Sequence, residues 1–141
     1  MSTYSFTRVS EMVAAFERQE ISAKEWTHQA HVLVAAWYAY NESVEEAILR
    51  MKSGIILLNH SHGNRNTLER GYHETLTIFW VLYLVKIVKE VSLRAPEDHL
   101  FNALLTHPDV HAQASLSYYT KDKLFSTHAR VRWVEPDLKS L

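Results

Sequence analysis

Apolar and polar positions along the chain recur at helical spacing. Val9, Met12, Val13 and Phe16 follow i, i+3, i+4, i+7, which predicts one amphipathic helix. Ser22 and Glu25 have the spacing of a capping box, in which each side chain satisfies the other's orphan backbone N–H. That box predicts a helix from about Ala23 to Tyr40, with Trp26, Ala30, Leu33 and Trp37 on one side. From Ala30 to Tyr40 nearly every residue is apolar, so this helix is expected at the centre, contacted from several directions. Ser43 and Glu46 form a second box, opening a helix with the stripe Val44, Ala47, Ile48, Met51, Ile55 and Leu58. Gly54 interrupts it at a cost of about 1 kcal/mol against Ala, which suits a close approach of another element.

The polar stretch Asn59 to Asn66 reads as a loop. A long helix is predicted from about Leu68 to Val91, burying Tyr72, Leu76, Phe79, Trp80, Tyr83 and Ile87. Pro96 at a first helical position predicts a shorter helix to about Thr106, and Pro108 another to about Tyr118. Beyond Tyr119 the pattern weakens. Ser126 is placed to cap one turn, and Trp133-Val-Glu-Pro136 reads as an extended tail whose Trp tucks against the bundle.

The chain therefore reads as one all-α domain over residues 1–141, a bundle of five or six helices with an irregular C-terminal tail from about residue 120 packed on it. Composition agrees. Three Gly and three Pro, none of the latter before Pro96, leave a sheet without its turn residues. At 141 residues the chain can bury a core without disulfides or a structural metal. The apolar run from Leu76 to Val88 includes Lys86 and falls short of the roughly 20 residues a bilayer needs, so it reads as a buried helix and no membrane span is expected. The start of the chain has no apolar stretch after a basic one, and a cytoplasmic protein is the expectation.

Charge and cysteine content narrow the chemistry. Fifteen Lys+Arg against sixteen Asp+Glu give a net charge of −1, so no footprint for nucleic acid or an anionic membrane is present. The absence of cysteine removes disulfides, thiolate nucleophiles, Cys-type zinc sites and iron–sulfur clusters. Nine histidines stand out.

His28 and His31, three apart on the predicted central helix, lie roughly 60° apart around its axis and face the same way. They are expected to point away from the Trp26/Leu33/Trp37 stripe, onto a face shared with Tyr38. His73 falls near the apolar stripe of the long helix and is expected to point inward, with Glu74 further round. If the three histidines converge, they form a candidate metal set with an open fourth position, suited to Zn²⁺, Ni²⁺ or Fe²⁺. His73, Glu74 and Tyr38 are then the candidate catalytic and proton-transfer groups. The loop before the long helix supplies candidate ligand-binding residues His60, His62, Asn64 and Arg70. His99, His107, His111 and His128 read as solvated surface residues.

Named sites fail on their motifs. A di-iron carboxylate bundle needs two Glu-x-x-His motifs and the chain has one, at Glu25 and His28. His73-Glu74 lacks the second His of a zincin, and no Walker A loop, G-x-G-x-x-G or G-x-S-x-G occurs. In outline, a small bundle with histidines on separate helices resembles the DinB-type metal-binding bundles, a likeness of architecture that assigns no residue.

Two functional expectations follow. One is a histidine-lined internal site for a divalent metal or a small polar molecule, with catalysis on it. The other is a non-enzymatic helical module that forms a homo-oligomer or binds another protein, for which four Trp, seven Tyr and five Phe supply more aromatic surface than a core of this size needs.

Overall fold

The computed structural model describes residues 4–141. Four long helices carry the domain: α1 (Phe6–Glu17), α2 (His28–Asn41), α3 (Val44–Ser61) and α4 (Glu74–Ser92). A 3₁₀ turn (Glu97–His99) runs into α5 (Leu100–Leu105), and a second (Ala114–Ser117) precedes the short helices α6 (Lys121–Leu124) and α7 (Thr127–Val131). No strand occurs among the described residues, and no helix there is long and apolar enough to cross a membrane.

As its composition predicts, α2 is the axis. Val32, Leu33, Val34, Ala35 and Ala36 are all buried, because α4, α1 and α3 pack around it. The aromatic residues expected as surplus are largely consumed internally. Trp37 lies against Phe6 and Phe101, and Phe79 sits among Trp80, Tyr83, Tyr118 and Tyr119. Gly54 serves the close approach its position suggested: a Cβ there would stand 2.2 Å from the ring of Phe16 on α1. With so little glycine, the left-handed residue that ends α1 is Gln19, at φ 60°.

The two helices that carry the candidate histidines start later than the pattern predicts. The Ser22–Glu25 box forms, but it closes an isolated turn. Trp26 then leaves the helical path to stack on Phe16 at 5.2 Å, and Thr27 is the residue that caps α2, accepting from the Ala30 N–H. The gain from burying Trp26 on Phe16 outweighs five more residues of helix that would face solvent. Likewise α4 starts at Glu74 rather than Leu68. Residues 66–72 are tied up as a loop by Asn66, whose side-chain oxygen accepts from Asn59 Nδ2 and from the Tyr72 N–H, and by Gly71, at φ +86°.

The helix expected from Pro108 to about Tyr118 does not form. Tyr83 Oη donates to the Asp109 carbonyl and His107 Nδ1 accepts from the Asp109 N–H. These bonds hold the segment in turns up to the 3₁₀ piece at Ala114–Ser117. His107 is thereby half-buried rather than solvated, 3.8 Å from Glu90. The tail packs as expected. Ser126 caps α7, Trp133 meets Tyr119 edge-on at 6.4 Å, and Thr75 at the start of α4 receives Val134 N–H and donates to the Arg132 carbonyl.

Candidate functional site

The starts of α2 and α4 stand on either side of a cleft of about 540 Å³. Trp26, His28 and His31 line it from one side, and Tyr72, His73, Thr77 and Trp80 from the other. Gln113, Ser115 and Phe125, from the segments that follow α5, complete the wall. The three histidines singled out by sequence thus line one cleft, but in three different states.

His73 is the N-cap of α4. Its Nδ1 accepts from the Leu76 N–H at 3.0 Å, and its Nε2–H donates at 2.8 Å to the carbonyl of Leu124, the last residue of α6. One neutral imidazole therefore satisfies an orphan donor at the start of one helix and an orphan acceptor at the end of another. Burial, foremost, holds its pKa below the ordinary histidine value, helped by the nearby Arg130 charge. With both nitrogens engaged, His73 has no free lone pair to give a metal or a substrate proton.

His31 is the opposite case. It is half-buried, and neither ring nitrogen bonds to another described residue. Its ring lies 5.6 Å from Trp26. The pattern had His31 facing away from Trp26, and the early break in the helix reverses that. Burial and then the neighbouring His28 pull its pKa down to about 4, so at neutral pH it offers one N–H donor and one acceptor. His28, more exposed, lies edge-on to Trp80 at 5.1 Å. Its pKa is lowered by partial burial and by His111. The Ser115 hydroxyl and the Gln113 amide also lack a partner among the described residues, and the former sits on a residue only 4% exposed.

The remaining candidates lie elsewhere. Tyr38 Oη donates to Glu17 Oε2 at 2.6 Å, about two turns along α2 from His31, and neither residue lines the cleft. Burial and Glu17 raise the Tyr38 pKa, so it is held as a donor. Glu74 accepts from Tyr72 Oη at 2.6 Å and from Lys52 Nζ at 3.2 Å in a separate surface hollow. His62 Nε2 lies 2.7 Å from the Ile21 carbonyl and ties the α1–α2 connection to the end of α3. His60, Asn64 and Arg70 edge two hollows of the loop, Asn64 being common to both. Among the described residues no three His, Cys, Asp or Glu are grouped so as to hold a metal ion.

Sequence reasoning missed Gln113, Ser115 and Phe125, which carry no motif. It also passed over Thr27, whose residue type three positions before Ala30 is a cap signal in its own right. Compared with models of protein families, with curated proteins and with solved structures, the chain shows no match to any of them.

Proposed function

We propose that this protein binds a small, flat, polar molecule in the cleft between the starts of α2 and α4. The observation that carries the reading is the neutral, half-buried imidazole of His31, open to the cleft and without a hydrogen-bond partner among the described residues. Polar groups in partly buried positions are ordinarily paired, and leaving one unmade costs about 1–3 kcal/mol. Gln113 and Ser115 add further open donors and acceptors, while Trp26, Tyr72 and Trp80 provide aromatic walls on which a flat ring would lie. A metal ion suits the donors less well, since with His73 engaged only two imidazoles, His28 and His31, remain on the cleft.

The test is a ligand-observed NMR screen of small heteroaromatic compounds against the wild type and His31→Phe, which keeps the ring and removes its nitrogens. The expected result is binding that perturbs Trp26 and Trp80 and weakens by about tenfold or more in the variant. A screen with no such compound, or hits that bind both proteins equally, would remove the reading.

A further inference from the structure

Beside the cleft, the loop between α3 and α4 forms a second hollow of about 700 Å³, lined by Asn59, Asn64, Arg65, Thr67 and Arg70 together with Gly63 and Gly71. Gly71 lines both it and the cleft, so the two are neighbours. Arg65 and Arg70 bring two like charges into this one hollow, and no carboxylate lies within 4 Å of either among the described residues. Arg18, Arg50 and Arg94, by contrast, each hold a glutamate. Two guanidinium groups on one hollow, neither paired with a carboxylate, favour an anion there, and their planar forks match oxyanions.

The loop is also held in shape. Thr67 N–H donates to the Arg70 carbonyl at 2.8 Å, and Thr67 Oγ1 accepts from the Arg70 N–H. That leaves the Thr67 hydroxyl proton to be donated outward. At Gly71 the backbone passes so close that a Cβ would stand 2.6 Å from the Arg65 carbonyl. This crossing fixes the two arginine-bearing stretches against each other, and the Asn64 amide has no partner among the described residues.

We infer that Arg65 and Arg70 form an oxyanion subsite that receives a phosphate group carried by the molecule in the cleft. The inference rests on the small-molecule reading for the linkage but not for the anion site itself. The ligand class is then a small aromatic phosphate ester, its ring against Trp26 and Trp80 and its phosphate on the arginine pair.

Amide chemical shifts would be followed by NMR during titration with inorganic phosphate and, separately, with phenyl phosphate. The proteins compared are the wild type, the double variant Arg65→Ala/Arg70→Ala, and a control double variant Lys86→Ala/Lys89→Ala on the exposed face of α4. Neither arginine side chain has a hydrogen-bond or ion-pair partner among the described residues, so the first variant should melt as the wild type does. Inorganic phosphate is expected to move residues 63–71, with affinity at least tenfold weaker in the arginine variant and unchanged in the lysine control. Phenyl phosphate is expected to move Trp26, His31 and Trp80 as well. If phosphate leaves the loop unmoved, or both double variants weaken alike, the subsite is overturned whatever the cleft binds. If phosphate binds the loop while phenyl phosphate leaves the cleft residues unmoved, the anion site stands and its linkage to the cleft is overturned.

Discussion

The starts of α2 and α4 face each other across one cleft, and each carries a histidine with a depressed pKa. At α4, both nitrogens of His73 close helix ends. At α2, Thr27 does the capping, and the His31 ring nitrogens bond to no other described residue. Both are histidines whose pKa is depressed by burial, yet one imidazole is part of the frame and the other is available. What separates them is where the orphan backbone groups lie: a histidine at an N-cap is used up by its own helix, and one a turn inside is not.

The largest effect that would break this contrast is at His73. His73→Ala removes the cap and strands the buried Leu124 carbonyl, and should cost about 3 kcal/mol in urea unfolding. His73→Asn, which keeps a capping oxygen, should recover about 1 kcal/mol of that. A His73→Ala protein as stable as wild type would mean that His73 is not the structural member of the pair.

Acid sharpens the contrast next. A histidine held neutral in the fold binds a proton less readily than in the unfolded chain, so the unfolded state takes up more protons and stability rises with pH. The contribution of His31 is complete above its unfolded pKa near 6.5 and declines as pH falls from there to about 4. Allowing for its partial exposure, the loss from pH 7 to pH 4 is on the order of 2 kcal/mol from His31, with His73 and His28 adding in the same direction. Denaturant melts across this range should show a shallower slope in His31→Phe, and an unchanged slope would place the titration elsewhere.

The smallest effect concerns the caps. Thr27→Ala should cost about 1 kcal/mol, because Thr27 starts a helix, whereas Ser22→Ala should cost only a few tenths, because the Ser22–Glu25 box closes an exposed turn. Equal losses on thermal melting would show that the turn at 22–25 is coupled to α2 after all.

The particular residues show which features periodicity could carry. The stripe from Val44 to Leu58, the all-round apolar α2 and the glycine at position 54 each state a local requirement, and each is met where expected. The helix starts are different. Ala23 to Trp26 have helix-compatible types and a genuine capping box, but Trp26 gains more from stacking on Phe16, a residue ten positions earlier on another helix. The segment after Pro108 has no strong stripe of its own, so one bond from Tyr83, twenty-six residues before, decides its path. His28, His31 and His73 were visible as candidates, and Gln113, Ser115 and Phe125 were not, because the latter acquire meaning only from the cleft they border.

By itself the sequence determined the helical class, the identity of the central helix and the set of histidines to examine, since these depend on spacing within one segment and on side-chain type. The tertiary structure alone decided where α2 and α4 begin, that His73 is used up while His31 is open, and that Arg65 and Arg70 share a hollow next to them. Those outcomes turn on which donors and acceptors meet across the fold, and a hydrogen bond between residues 73 and 124 leaves no periodic trace in either stretch of chain.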